Sequence, residues 1–305
     1  MRRMNRRTFI GSAAAATLLA SRSTLVSGAT GATGPNGAGG AAEASHKLDR
    51  IGVQLYTVRE MMKTDFEGTL AKVAGVGYSE VEFAGYFDHQ PKEIRTILDR
   101  VHLTAPSEHV GYEVVQNKWP ETLEAAHVVG HKFIVCPSID ESERKKAAAY
   151  KKAAEVFNRA GEASKKAGIQ FAYHNHSYEF EPLADGGGKF GYDILLSETD
   201  PKLVKMEMDL CWITVAGQDP LTYFNRYPGR FPLVHVKDWT AGPDGKMGQK
   251  DGHMADVGDG AIDWKRLFAE SKKAGIEHYF VENDEPTSPI EDLRKSYTYL
   301  HDLRF

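Results

Sequence analysis

Cysteine is scarce. The 305 residues contain two, Cys136 and Cys211, each inside an apolar run that reads as a strand, so a disulfide framework is excluded and buried free thiols are expected. A basic excess is also missing. Lys and Arg number 38 against 42 Asp and Glu, and Arg2, Arg3, Arg6, Arg7 and Arg22 fall in a leading stretch where Glu43 is the one acid. The remainder is more acidic than the whole, which argues against a chain that tracks a nucleic-acid backbone or lies on anionic lipid. No apolar run reaches the roughly 18 residues of a membrane span. With 41% hydrophobic and 26% charged residues, the composition is globular and excludes wholesale disorder, collagen and coiled coil.

What is present begins with an address. MRRMNRRTFIGSAAAATLLA places a basic region before a short apolar stretch of small residues. Arg6, Arg7 and Phe9 in NRRTFIG resemble the twin-arginine export signal, and Ser27, Gly28 and Ala29 supply small residues for cleavage. Residues 1–29 are therefore expected to be a signal peptide read by the twin-arginine translocase, with a periplasmic destination and no membrane insertion after cleavage. The Gly/Ala tract that follows has too little side chain to pack, so residues 30–46 are expected to be a flexible linker.

From residue 47 to 305 one pattern recurs. IGVQLYTV, YSEVEF, LTAPSEH, KFIVCP, IQFAYH, VKMEMD, PLVHVK and HYFVEN read as strands. Between and after them, helical periodicity covers 64–76, 94–101, 119–129, 143–167, 192–197, 221–227, 264–274 and 290–303. Parallel strands need crossover helices, and eight such units predict one (β/α)8 TIM barrel, with an open doubly wound sheet as the alternative. Gly77, Gly130, Gly168 and Gly275 stand where helix C-terminal caps would lead into the next strand.

The chemistry-bearing residues gather at strand ends. The fifth strand runs into YHNHSYEF, the sixth into MEMDLCW, the seventh into VHVKDW and the eighth into FVENDEP. Alternate residues of a strand share a face, so His174 and His176, Glu207 and Asp209, His235 and Lys237, and Glu282 and Asp284 can all point to the barrel axis. Glu80 and Glu82 on the second strand, and Ser107 and His109 on the third, join them. Each unpaired buried charge costs several kcal/mol, on the order of 3 to 5, so a rim this rich in ionisable groups points to function. Imidazoles and carboxylates together suit one divalent Mn, Co, Zn or Fe ion rather than Ca, which prefers oxygen alone.

YHNH, HVKDW, FVEND and the combination VGDGAIDW resemble the xylose isomerase-like barrel superfamily, often called sugar phosphate isomerase/epimerase, over residues 49–305. Its relatives include ketose 3-epimerases, inosose dehydratase and apurinic-site endonucleases. The resemblance implies one metal at the barrel mouth, held by Asp209, His235 and Glu282. The usual fifth-strand Glu is replaced by His174, with His176 or Glu179 as alternatives. It further implies a carbohydrate substrate, proton abstraction beside a carbonyl through an enediolate, and Glu282 as base. Glu179, His109 and Lys237 are candidate second acids or bases. Glu82, Asn175, His176, Trp212 and His253 are candidate substrate contacts, and Tyr56, Phe83, Tyr86, Tyr112 and Trp239 are aromatics that can stack or pack. Lys237 is expected to pair with Asp238 or a substrate oxygen.

One strong base with a separate acid fits elimination as well as epimerisation. The expected function is thus an isomerase or epimerase, with a 3-keto-glycoside lyase or hydratase and a non-catalytic sugar-binding protein as alternatives. The nuclease reading is disfavoured by the acidic body and by Trp212 where a sixth-strand His would stand. Association into a homo-oligomer is left open.

Overall fold

Eight short strands, each a run of apolar and β-branched residues, lie parallel and close on themselves in the computed structural model, which describes residues 46–248 and 252–305. The expected signal peptide, and all of the expected linker but His46, lie outside the described residues. The strands are β1 (Gly52–Gln54), β2 (Glu80–Phe83), β3 (Thr104–His109), β4 (Phe133–Cys136), β5 (Gln170–His174), β6 (Val204–Asp209) and β7 (Leu233–Val236). A two-residue ribbon follows, β8 (Asp238–Trp239) antiparallel to β9 (Met254–Ala255), before β10 (His278–Val281) pairs with both β7 and β1. Closure excludes the open doubly wound sheet. Among the described residues no helix is long and apolar enough to cross a membrane.

The helices follow the expected alternation, with one expected stretch divided and three short α-helices added among the described residues, Arg59–Thr64, Tyr112–Asn117 and Leu210–Val215. Asp65 accepts from the Gly68 amide and caps Phe66–Val76, so Arg59–Thr64 is a separate short helix. The stretch expected over 264–274 divides into Trp264–Phe268 and Ser271–Ala274, where the Ser271 hydroxyl donates to the Phe268 carbonyl and competes with the helical ladder. The four expected glycine caps all have positive φ. Gly77 and Gly275 are crowded as well, since a Cβ would lie 2.5 Å from the Tyr297 ring at the first and 2.8 Å from Gly229 Cα at the second.

Two apolar layers hold the barrel. The larger lies between strands and helices and includes both cysteines, buried and unpaired as expected. The smaller fills the barrel axis with Phe133, Val135, Ala172, Leu233 and Phe280. Gly52 makes room for it, because a Cβ at that position would lie 2.6 Å from the Phe280 ring. This axial plug is the floor on which the next inward residues, all polar, stand.

Candidate active site

Period two sets the parity of every strand end. Phe280 on the floor is followed inward by Glu282, Leu233 by His235, and Ala172 by His174. Glu82, His109 and Glu207 reach the same level from β2, β3 and β6. Asp209 ends β6 and is also the N-cap of Leu210–Val215, its Oδ1 accepting from the Cys211 and Trp212 amides. That leaves Oδ2 without a hydrogen-bond partner among the described residues, 3.1 Å from Lys237 Nζ.

Two tiers result. In the upper one, Lys237 Nζ lies 2.7 Å from Glu282 Oε2 and donates to both oxygens of Asp284 at 2.9 and 3.0 Å, while His235 Nδ1 lies 2.7 Å from Glu282 Oε2. In the lower one, Glu82 accepts from Gln54, Ser107 and His235 Nε2, the last at 2.6 Å. His109 Nε2 and His174 Nδ1 donate to Glu207 Oε2 at 2.7 and 3.0 Å. A pocket of about 380 Å³ opens above, lined by Tyr56, Ala84, His109, Pro137, His174, His176, Lys237, Glu282 and Asp284. This is within the range of small-ligand clefts.

The electrostatics follow from burial against pairing. Burial opposes the Glu282 charge, but Lys237 and His235 outweigh it and hold the carboxyl well below the usual range. Burial likewise opposes the Lys237 cation, and Asp209, Glu282 and Asp284 outweigh it, so its pKa rises further. Desolvation, helped by His235, holds His174 well below 6.5, the neutral form that a metal ligand needs. His176 is pushed down to about 3 by burial and by Lys237. Asp284 is pushed up to about 6 by burial and by Glu282.

Several expected residues meet at this mouth: His109, His174, His176, Lys237 and Glu282 line it, with Asp209 and His235 beneath. Others are elsewhere. Glu179 is sealed behind the wall, accepting from Tyr173 OH at 2.6 Å and the His176 amide at 2.8 Å. Asn175 braces the ends of β5 and β6, accepting from the Asp209 amide at 3.1 Å. Glu82 belongs to the lower tier. His253 pairs with Thr240 and lines a separate cavity of about 330 Å³. Trp212 keeps a buried indole N–H without a partner among the described residues, its ring 5.7 Å from Lys237 Nζ. Of the aromatics, Tyr56 lines the mouth, while Phe83 and Tyr86 pack around His131, Tyr112 on Phe157, and Trp239 on Trp212.

Asp238 is a correction. It does not meet Lys237; it accepts from the Gly258 and Ile262 amides and from Trp264 Nε1, clasping the VGDGAIDW segment. Lys237 turns to Asp284 instead, because adjacent residues of an extended chain face opposite ways. Sequence reasoning assigned no role to Glu207 and Asp284. The signal was present in the inward alternation of MEMD and ENDE.

Asp209, His235 and Glu282 offer ligand atoms within 4.8 Å of one another, and His174 Nε2 lies 3.8 Å from Asp209 Oδ2. This nitrogen and oxygen set, with a buried carboxylate oxygen that takes no hydrogen bond among the described residues and faces a neutral imidazole, fits a divalent transition metal. An inosose dehydratase of Lacticaseibacillus casei is 26% identical over 270 residues, covering 77% of this chain and 88% of its own. A sugar phosphate isomerase/epimerase from Parabacteroides distasonis superposes with a TM-score of 0.70 at 27% identity, over 83% of this chain and 93% of that one. The IOLI protein, solved with a binding zinc atom, shares the fold at a TM-score of 0.64 and 14% identity, over 82% of this chain and 95% of its own. The description Xylose isomerase-like TIM barrel matches residues 70–302, and the chain belongs to that family.

Proposed function

We propose that this enzyme, of the sugar isomerase/epimerase-like kind, is a metal-dependent carbon–oxygen lyase of keto-sugars or keto-cyclitols. The carrying observation is that the mouth sets the Glu282 carboxylate against the Lys237 ammonium at 2.7 Å, while another candidate proton carrier, Glu179, is closed off by Tyr173 and the His176 amide. The dehydratase relatives support the same choice. A divalent ion held by His174, Asp209, His235 and Glu282 would supply Lewis-acid polarisation of a substrate carbonyl. Glu282 accepts the proton from the carbon beside that carbonyl. The electron pair left behind forms a carbon–carbon double bond as the oxygen on the next carbon departs. Lys237 donates to that oxygen, and its proton becomes easier to release once Glu282 is neutralised. His176 Nδ1, buried with no partner among the described residues, is placed to meet a substrate hydroxyl.

Isomerisation or epimerisation is the second reading, favoured by His109, which lines the same pocket and can serve as a second proton carrier. The test offers ketoses, inososes and 3-keto-glycosides to the protein in deuterated water. Release of water or aglycone with an unsaturated keto product is expected. Label in an intact skeleton supports the second reading. Sugar binding without exchange or product would make the chain a binding protein. Glu282→Gln should abolish the reaction in either catalytic case.

We also propose that residues 1–29 direct twin-arginine export to the periplasm, on the strength of Arg6, Arg7 and the apolar stretch after them. Replacing both arginines with lysine should trap precursor in the cytoplasm, and unchanged export refutes this.

A further inference from the structure

We propose that Glu207 is a positioning residue for the metal centre, its buried carboxylate fixing which nitrogen of His174 and of His109 carries the proton. The inference rests on the metal reading above. Glu207 precedes Asp209 by two residues on β6, so both side chains point inward, one tier apart. Its Oε2 accepts from His109 Nε2 at 2.7 Å and His174 Nδ1 at 3.0 Å, and lies 3.2 Å from His235 Nε2. A neutral imidazole has one N–H. Giving it to Glu207 through Nδ1 leaves His174 Nε2 as a lone pair facing Asp209 Oδ2 at 3.8 Å. That separation is too long for a hydrogen bond, but donors sharing one tetrahedral metal stand about 3 to 4 Å apart. His109, which lines the mouth, is anchored by the same oxygen, its Nε2–H held by Glu207. A metal-bound histidine whose other nitrogen donates to a carboxylate is oriented and made a stronger ligand.

The competing assignment makes Glu207 itself a ligand, since His109, His174, Glu207 and His235 also bring ligand atoms within 4.8 Å of one another. That assignment would put the ion against His174 Nδ1, the nitrogen 3.0 Å from Glu207 Oε2, rather than against Nε2, and the nitrogen that is ligated separates the two.

Two measurements test the proposal. Wild-type protein with ¹⁵N-labelled imidazoles is observed by NMR with and without Zn²⁺. His174 is expected protonated at Nδ1 in both states and ligated at Nε2 with zinc. Protonation at Nε2, or ligation through Nδ1, overturns the proposal. In the second arm, Co²⁺ affinity and visible spectrum are compared between wild type and Glu207→Gln, with circular dichroism checking the fold. The amide can turn its NH₂ toward His174 and impose the opposite tautomer, so affinity should fall about 10- to 100-fold, with Glu207→Asp recovering part of it. Affinity within about twofold of wild type and an unchanged spectrum would overturn the role of Glu207 while leaving the metal reading intact. Wild type that takes up neither ion refutes the metal reading, and the inference with it. If Glu207→Gln does not fold, the wild-type NMR measurement decides alone.

Discussion

Glu282 and Lys237 each make the other's charge tolerable in a site that water barely reaches, and the pair is also the base and the acid of the proposed reaction. Replacing Lys237 with Met removes the proton donor and leaves Asp209, Glu282 and Asp284 without their ammonium partner. Turnover should fall by about 10² to 10⁴, the span of one general acid, while bound metal, read by elemental analysis, is retained. Loss of metal together with activity would mean that Lys237 builds the site rather than serving it. His109 and His176 were legible as mouth residues because HNH and SEH put them at strand ends. The seclusion of Glu179 was not, because it depends on Tyr173, whose side chain faces away from the axis.

At the scale of elements, the segment that carries the family resemblance has a structural task. VGDGAIDW after β7 is drawn onto Asp238 through two backbone amides and the Trp264 indole, which fixes where Trp264–Phe268 begins. Gly260 is required by that clasp, because a Cβ there would lie 2.1 Å from Asp238 Oδ1. Gly260→Ala should therefore cost about 1 to 3 kcal/mol, read as a lower urea midpoint, with a shift in tryptophan emission as Trp264 loses its carboxylate partner. An unchanged midpoint would show that the segment relaxes freely. The motif was readable as a string, but its purpose was not, since hydrogen bonds from Gly258 and Ile262 converge on one side chain only once the loop has turned back.

For the whole molecule, stability should depend on pH through His131, buried outside the active site. Its Nδ1 donates to the Ala105 carbonyl at 2.7 Å, its Nε2 accepts from Tyr86 OH at 3.2 Å, and burial pushes the imidazole down to about 4. Above pH 6.5 it is neutral in the folded and unfolded chains alike, so stability is complete. As pH falls through 6.5, the unfolded chain takes up a proton that the folded one refuses, and stability is lost until about pH 4. The loss should approach about 3 kcal/mol in urea titrations, and the difference between His131→Gln and wild type should shrink over that window. A difference independent of pH would mean that His131 has the same pKa in the folded and unfolded chains, which refutes the effect of its burial. This cost belongs to barrel closure, which buries the start of β4 beneath Tyr86 and β3.

Sequence alone determined the eightfold alternation, the glycine caps and the parity of the strand ends. These depend on local periods of 3.6 and 2 and on backbone angles, which are written residue by residue. Tertiary structure alone decided which inward groups meet. His235 on β7 reaches Glu82 on β2, and His109 on β3 reaches Glu207 on β6, although neither pair of strands is adjacent in the barrel. Such contacts cross the axis, so they are set by the strand stagger that closure imposes and by the height of the apolar floor, and no local pattern encodes either.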